Sequence, residues 1–291
     1  MAKNEFLPFG TAANANVLPN ADYQALPARS AGFNAGVAKS EELNTVWRQA
    51  SVIASVVAQF IADYTGNDVL DNGNTDLILA SLKSAMGGRL ISVQTFTVSG
   101  TYTPTPGAKK IRITLTGGGG GGGGCQATSS SQTYFGAGGG AGATVISQFI
   151  LTGAANYPFI IGAGGAGGVS AVSGANGSPT TFSSILSAPG GLGGTKEGTT
   201  NTGGGYGGIA TAGDIRINGG DGSDGQSGTT AVSGQGGSSY FGGGGRAGAG
   251  GGIDGKAPGS GGGGAYDVGY SGAPMNGGKG ASGLIIIEEY S

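Results

Sequence analysis

The stretch Thr114–Cys125, TLTGGGGGGGGC, places eight consecutive glycines directly after the apolar run KKIRITLT (109–116). The chain changes composition here, because nine of its 69 glycines precede residue 117 and the rest fall in the final 175 residues, about one in three. Ordinary domains carry roughly 7% glycine. The stretch is therefore the boundary of a glycine-rich region, and the fold depends on what that glycine forms.

A strand followed by a glycine-rich loop is typical of nucleotide-binding domains. With one glycine in three residues, however, G-x-G-x-x-G arises by chance at about one position in 27, so a match carries little information. The glycine run is followed by CQATSSSQTYFGAGGG (125–140) rather than by a helix that could hold pyrophosphate. Neither Lys256 nor Lys279 is followed by the Ser or Thr of a phosphate-binding loop. Nucleotide binding is therefore not predicted.

Two other glycine-rich structures fit poorly. The segment GGDGSDGQS (219–227) resembles one calcium-binding β-roll repeat with Asp224 at the ligand position, but Gln226 occupies the apolar anchor position and no tandem copy follows. Collagen requires glycine at every third position throughout, together with abundant proline, and only five prolines follow residue 116. We therefore expect neither a β-roll nor a collagen helix, and no metal or cofactor.

A looser spacing of three residues is present, as at Gly162, Gly165 and Gly168. A polyproline-II helix has three residues per turn, so this spacing places glycine along one edge of a segment. Backbones can then approach closely and hydrogen-bond sideways, which offsets the entropy that glycine loses on ordering. The pattern favours a packed polyglycine-II bundle, with a disordered linker as the alternative.

Runs of apolar and β-branched residues surround the glycine and predict strands. These runs are 94–103, 109–116, 143–151, 157–162, 181–186 and 283–290. The last one, GLIIIEEY, is apolar enough to occupy a central place in a sheet. We predict that residues 91–291 form a β-sandwich with a long glycine-rich bundle between its strands.

A helix is predicted from residue 40, where Ser40 can act as N-cap and two glutamates occupy the first turn. Apolar residues then recur at alternating steps of three and four, which predicts the seam of a coiled coil. The seam residues are Leu43, Val46, Ala50, Ile53, Val57, Phe60 and Tyr64. The width of the apolar stripe favours a homotrimer, and a helix packed inside its own chain is the alternative. With a shorter helix from Thr75 or Asp76, residues 40–90 make a helical shaft.

Residues 1–39 have no helical period and contain Pro8, Pro19 and Pro27 among small and polar residues. This composition predicts an extended arm. An arm of this kind either lies on a partner as an attachment segment or forms a disordered tail, and we favour attachment.

Composition excludes several classes of function. The net charge is −2 with no basic block, which gives no support for nucleic-acid binding. The chain has one cysteine and no histidine, which excludes an internal disulfide and the Ser-His-Asp and Cys-His mechanisms. No stretch approaches the roughly 18 apolar residues of a membrane span, and the start MAKNEFLPFG lacks the apolar core of a secretory signal. We therefore expect synthesis in a cytoplasm without export by the usual route.

A glycine bundle leaves its large side chains at segment tips, where tyrosines on a rigid frame lose little entropy on binding. The candidate binding residues are Tyr134, Phe135, Tyr206, Tyr240, Phe241, Tyr266 and Tyr270. For the two Tyr-Phe pairs, a structural role in covering the bundle ends is equally compatible with the sequence. Cys125 is interpreted as a small buried residue, with an inter-chain contact as the alternative.

The N-terminal run from MAKNEFLPFG through VWRQASVIASVVAQFIADYTG resembles the attachment region of bacteriophage and prophage tail fibre proteins. The segment from KKIRITLTGGGGGGGG to GLIIIEEY resembles the glycine-rich domain at the ends of such fibres and the polyglycine-II tips of T-even-type adhesins. The resemblance implies a trimeric fibre of the virion. Its residues 1–39 would be held by tail or baseplate proteins, and its tip would bind an outer-membrane protein or lipopolysaccharide.

The sequence therefore predicts a non-enzymatic receptor-binding fibre, assembled in the host cytoplasm. A purely structural tail component is the alternative. A polysaccharide depolymerase would need paired carboxylates, and the nearest group, Asp214, Asp221 and Asp224, shows no evident pairing.

Overall fold

The computed structural model describes residues 2–33, 36–126, 134–152, 156–196, 201–226, 234–267 and 271–291. Helices lie near the N-terminus and strands fill most of the remainder, which confirms the predicted mixed fold class. The chain divides into two compact units, Met1–Gly87 and Gly88–Ser291, called the helical unit and the glycine-rich unit below. The sequence placed a boundary between residues 90 and 91.

The helices of the first unit are α1 (Asn20–Ala25), α2 (Ala28–Ala31), α3 (Ser40–Thr65) and α4 (Thr75–Ala85). Helix α3 ends at Gly66, whose φ of 71° is a left-handed conformation that glycine adopts without steric cost. The Asn74 side chain caps α4 by accepting a hydrogen bond of 3.1 Å from Leu77 N. The predicted N-cap Ser40 is wrong, because Ser40 is the first residue of α3 and the N-cap position is held by Lys39, whose side chain makes no capping hydrogen bond.

The N-terminal arm is not extended throughout, so the prediction for residues 1–39 is wrong in this respect. Pro19 and Pro27 occupy the N-cap positions of α1 and α2. Proline interrupts the interior of a helix, but its fixed φ near −65° suits the residues where a helix begins. The prolines that suggested an irregular arm therefore start two short helices.

The arm lies along α3 of its own chain. Phe9 N donates a hydrogen bond of 2.9 Å to Ser51 Oγ. Leu18 N donates one of 2.8 Å to Thr45 Oγ1. An apolar core joins the arm, α3 and α4, and its buried members are Ala58, Ile61, Ala62, Val69 and Ala85. The first half of the arm is therefore held by contacts within its own chain.

The strands of the glycine-rich unit are β1 (Leu90–Phe96), β2 (Gly100–Tyr102), β3 (Lys110–Thr116), β4 (Thr144–Ile150), β5 (Tyr157–Ile160), β6 (Thr180–Phe182), β7 (Leu186–Ala188), β8 (Asn201–Thr202), β9 (Ile215–Ile217), β10 (Gly225–Gln226), β11 (Gly248–Ala249), β12 (Ala265–Tyr266) and β13 (Leu284–Tyr290). Two antiparallel sheets, in the orders β1-β13-β3-β4-β9 and β2-β5-β6-β7, contact each other through β3, β4, β6 and β7. The closing strand β13 lies between β1 and β3, where it pairs on both sides.

The side chains between the two sheets form one apolar core. Its largest fully buried members are Tyr102, Phe182, Ile111, Ile113, Leu115, Ile285, Ile287 and Val145. They come from alternate positions of the strands, as expected for a sheet with one face against a core. The sheets therefore have their own source of stability beside the glycine-rich segments.

Two strands predicted from the sequence are wrong in extent. The run 94–103 divides between β1 and β2, which belong to different sheets, and Val98 in the bend is 76% exposed. The run 181–186 divides between β6 and β7 after Ser183, whose φ is 50°. In the run 94–103 the alternation of apolar residues continues across the bend, so periodicity alone did not reveal it.

A buried carboxylate links the two sheets. Glu289 of β13 is fully buried and accepts hydrogen bonds from Tyr102 Oη at 2.6 Å and Thr105 Oγ1 at 2.6 Å. Burial alone raises the pKa of Glu289, but the hydrogen bonds from Thr105 and Tyr102 outweigh it and leave that pKa below its usual range. Burial, and then the contact with Glu289, raises the pKa of Tyr102 well above its usual range, so its hydroxyl remains the donor.

We expect Glu289→Gln to lower the free energy of unfolding by about 2–3 kcal/mol, because the amide replaces a charged acceptor that takes several hydrogen bonds. Since the folded-state pKa of Glu289 is lowered, its contribution is present above the unfolded pKa and is lost as the pH falls below about 4. Denaturant titrations at pH 7 and pH 3 measure both effects.

The matched control for Glu289→Gln is Glu288→Gln, which removes a partly exposed ion pair with Arg112 at 2.8 Å. Glu288→Gln should lower the free energy of unfolding by less than about 1 kcal/mol. Equal losses in the two variants would contradict the structural role of Glu289.

The glycine-rich segments run between the strands and lie side by side. In the central run, 117–124, every third N–H points to the same neighbour: those of Gly118, Gly121 and Gly124 donate hydrogen bonds of 2.9 to 3.0 Å to segment 172–178. The two intervening sets of N–H groups donate to two other segments. The direction of donation thus returns after three residues, which is the period of a polyproline-II-type helix.

The central run is enclosed by six other segments, to which it is joined by backbone hydrogen bonds. These are 136–143, 162–168, 172–178, 189–195, 259–265 and 275–283. Segments 136–142 and 259–265 are enclosed in the same manner. These two segments and the central run are buried along their whole length. The remaining segments form a rim around these three. Backbone hydrogen bonds, and not apolar side chains, therefore hold the interior of this bundle.

Candidate binding surface

The bundle has one end at the sheets and a far end, which the central run reaches at Cys125. Phe135 and Tyr266 lie together at the far end, with ring centroids 5.1 Å apart and 24° between the ring planes. Phe135 is only 2% exposed, whereas Tyr134 and Tyr266 are partly exposed. Phe135 therefore acts as the buried support of a stacked pair whose accessible member is Tyr266.

Backbone contacts hold this end in place. Cys125 and Met275 exchange two hydrogen bonds of 3.0 Å between their backbones, and Cys125 is buried. Thr202 Oγ1 donates a hydrogen bond of 3.0 Å to Phe135 O. The aromatic pair is thereby fixed on a hydrogen-bonded frame, which suits recognition by a preorganised surface.

The second Tyr-Phe pair lies at the opposite end of the bundle. Tyr240 and Phe241 form a T-shaped pair with centroids 5.1 Å apart, and Tyr240 is 53% exposed. They follow Ser239, which lies beside Gly259 and Thr116 at the sheets. Similar motifs thus mark turns between segments, and the direction of the chain decides at which end each turn lies.

The remaining candidates are separate from both pairs. Tyr206 is 70% exposed on the side of the bundle, within segment 203–209. Tyr270 lies outside the described residues. Of the predicted binding residues, the structure brings Phe135 and Tyr266 together with Tyr134 adjacent in sequence, and it does not join Tyr206, Tyr240 or Phe241 to them.

The rim also carries a row of short polar side chains whose structural role was not predicted from the sequence. Asn218, Asp221 and Asp224 are spaced three residues apart and face the neighbouring segment 203–210. Their Oδ1 atoms accept hydrogen bonds from the N–H groups of Ala210, Gly207 and Gly204 at 3.0, 2.7 and 2.7 Å respectively. The residue that resembled a calcium ligand, Asp224, therefore caps a backbone donor. The N-x-x-D-x-x-D spacing of Asn218, Asp221 and Asp224 is the feature of the sequence that could have predicted this row.

Comparison with known families gives one result. The sequence model of the glycine-rich domain matches residues 93–290, from within β1 to the end of β13. The chain belongs to the glycine-rich domain family. A comparison with curated proteins gives no match. Because the match begins and ends in strands of one sheet, the glycine-rich domain comprises both the sheets and the bundle.

Outside the glycine-rich domain, α3 presents a row of uncovered apolar side chains. Within its own chain α3 buries Thr45, Ala58, Ile61 and Ala62. The predicted seam lies on another face: Leu43 is partly covered, and the exposed members are Val46, Ala50, Ile53, Val57, Phe60 and Tyr64. Ile53 is 66% exposed. The helix therefore packs inside its own chain on one face and leaves the seam available on another.

The carboxylates among the described residues of the glycine-rich domain are engaged in hydrogen bonds within the chain. Asp214 accepts hydrogen bonds of 2.9 Å from Gln148 N and Ser147 Oγ, and these lower its pKa. Among the described residues, no group of three or more Cys, Asp or Glu side chains is placed to hold a metal ion. In the same part of the chain, no helix has both the length and the apolar character that a membrane crossing requires.

Proposed function

We propose that the protein is a bacteriophage tail fibre that attaches the virion to the surface of its bacterial host. The observation that carries this proposal is the combination, in one chain, of an uncovered apolar helix face and a hydrogen-bonded glycine-rich domain with tyrosines at its far end. The first suits assembly of several copies, and the second offers a rigid recognition surface. The resemblance of both regions to tail fibre proteins supports the same function.

In this proposal the seam of α3 forms a homotrimeric coiled coil. Isolated apolar side chains are normal on protein surfaces, but a continuous row over three heptads is typical of an interface. The aromatic pair Phe60 and Tyr64, with centroids 4.6 Å apart, would extend the buried surface at the end of the seam. In a trimer each α3 helix contacts two others, so a wide apolar stripe can be buried.

The helical unit would attach the fibre to tail or baseplate proteins. Because the N-terminal arm packs on α3 of its own chain, attachment through residues 1–39 would use the outer surface of the arm. Exposed apolar side chains are available there, among them Leu7, which is 76% exposed. The glycine-rich domain would then be the free, receptor-binding part of the virion.

The receptor contact would lie at the far end of the bundle, around Tyr134 and Tyr266. Aromatic side chains that are held by packing lose little conformational entropy on binding and often dominate the free energy of an interface. The proposed partner is an exposed component of the bacterial outer surface, either an outer-membrane protein or lipopolysaccharide. The proposed activity is binding without catalysis, and it uses no cofactor.

Competition for adsorption tests this function. Purified protein should bind susceptible cells and block infection by a phage that carries this fibre. Tyr134→Ala should weaken the block at least about tenfold, as expected for a central aromatic contact, while Tyr240→Ala at the other end of the bundle should leave it unchanged. Protein that neither binds the cells nor blocks infection would favour the second candidate, a structural tail component whose glycine-rich domain is a stable cap.

A further inference from the structure

The side of the bundle has an apolar portion that is exposed among the described residues. Since each rim segment has three residues per turn, every third side chain points outward. Four consecutive rim segments are 162–168, 172–178, 189–195 and 203–209. They are joined in that order by the hydrogen bonds Ala175 N to Ala166 O, Gly174 N to Gly194 O, and Leu192 N to Tyr206 O, at 2.8 to 2.9 Å. We call their outer surface the apolar face.

Large apolar side chains project from the apolar face and from the turn between its first two segments. Their exposed fractions are 64% for Val169, 55% for Val172, 43% for Leu192, 70% for Tyr206 and 65% for Ile209. The four segments contain no charged residue, and the nearest charge along them is the exposed Lys196, which directly follows the third segment and donates its N–H to Ser173 Oγ of the second. Charged residues are depleted and aromatic residues enriched in the cores of protein interfaces.

The rest of the rim has the opposite character. Its charged side chains are Asp221, Asp224, Arg246, Asp254, Lys256 and Lys279. They lie in segments 219–225, 243–248, 252–256 and 275–283, which occupy the other part of the circumference. Most charged side chains of the described rim therefore lie on one side of the bundle and the large exposed apolar side chains on the other, although both sides use the same backbone hydrogen bonding.

We propose that the apolar face packs against the glycine-rich domain of a second copy of this chain. This inference rests on the proposed function in one respect, since the seam of α3 would tether several copies. Tethering raises the effective concentration of the domains to the order of millimolar, so a modest apolar contact suffices for association. A flat backbone that is already hydrogen-bonded loses little further entropy when it docks.

A rotationally symmetric trimer gives each copy two neighbours and closes without leaving an uncovered apolar surface. The charged part of the rim would face water, and the far ends of the domains would point in a common direction. In this arrangement Tyr206 is an interface residue and not a receptor contact, which separates its role from that of Tyr134.

Site-specific photo-crosslinking in the full-length chain tests this. Tyr206 is replaced by p-benzoyl-phenylalanine, a substitution that keeps an aromatic side chain at an exposed position. The control carries the same residue at Gln235, which is exposed in the polar segment 234–238. Irradiation should join two chains at least about tenfold more efficiently from position 206 than from position 235, since only the first lies in the tethered interface.

Three results would overturn the inference, and the first two are distinguishable from failure of the proposed function. If sedimentation shows a trimer but position 206 gives no more crosslinked chains than position 235, the apolar face is not an interface. The trimer would then be held by the seam of α3 alone. If position 206 crosslinks in the presence of susceptible cells to a bacterial surface component instead of a second chain, the apolar face is the receptor surface. A chain that is monomeric by sedimentation would overturn this inference together with the proposed trimer.

Discussion

Replacing Gly121 by alanine is expected to destabilise the glycine-rich domain by at least about 3 kcal/mol, with a fall in melting temperature of roughly 6–12 °C. Gly121 N donates to Ala175 O and Gly121 O accepts from Gly194 N, both at 2.9 Å. A Cβ at this position would fall well inside van der Waals contact of the carbonyl of Ala166. That carbonyl already accepts a hydrogen bond from Ala175, so it cannot move without breaking it.

The matched control is Gly243→Ala on the rim, where an added Cβ meets no atom within 4 Å. It should change the free energy of unfolding by no more than about 0.5 kcal/mol. Differential scanning calorimetry of the three proteins measures the difference directly. If Gly121→Ala melts within a degree of the unaltered protein, the central run is not enclosed as described.

Placing a charge on the seam of α3 should abolish self-association. In the proposed trimer, Ile53→Glu would bury three like charges together without partners, and the desolvation penalty is several kcal/mol for each ion. The unaltered protein should sediment at about three times its chain mass of 27.8 kDa, whereas the variant should sediment as a single chain. The helix itself should persist, because Ile53 is 66% exposed within its own chain.

Gln59→Glu is the control for this change, since it adds the same charge to an exposed position of α3 outside the seam. Its sedimentation should match that of the unaltered protein. If the charge at Ile53 has no more effect than the charge at Gln59, the seam is not an interface.

Much of the fold could be predicted from periodicity. The seven-residue spacing from Leu43 to Tyr64 located α3, and the apolar run after Gly283 located the closing strand β13. These patterns repeat over several turns or residues on one face, so local irregularities do not hide them. The structure of residues 1–39 and the bends within the predicted strands were harder to predict, because proline and short apolar runs are compatible with more than one structure.

The face that α3 buries could not be predicted from the helix alone. The apolar stripe indicated a seam, yet the residues buried in the chain are on another face, against the arm, Val69 and α4. Thr45, which is 1% exposed, is a polar residue that becomes buried because its hydroxyl accepts from Leu18 N and donates to Glu41 O. Long-range contacts of this kind leave no periodic signal.

For the binding surface, the sequence predicted which residue types could bind but not where on the bundle they lie. The sequence identified the aromatic residues but placed both Tyr-Phe pairs at similar tips, whereas Phe135 and Phe241 lie at opposite ends of the bundle. Which end a turn occupies depends on the direction and order of all the segments before it. The side position of Tyr206 next to Leu192 follows from the pairing of rim segments, which composition does not contain.

Amide hydrogen exchange along residues 118–124 tests most directly that the glycine run is an enclosed, hydrogen-bonded segment. These N–H groups donate to backbone carbonyls of three neighbouring segments at 2.7 to 3.0 Å and are buried. They should therefore be among the slowest to exchange, with the same opening free energy as the core strands β3 and β13. Exchange of the run at the rate of an unfolded chain, while β3 and β13 remain protected, would contradict the account.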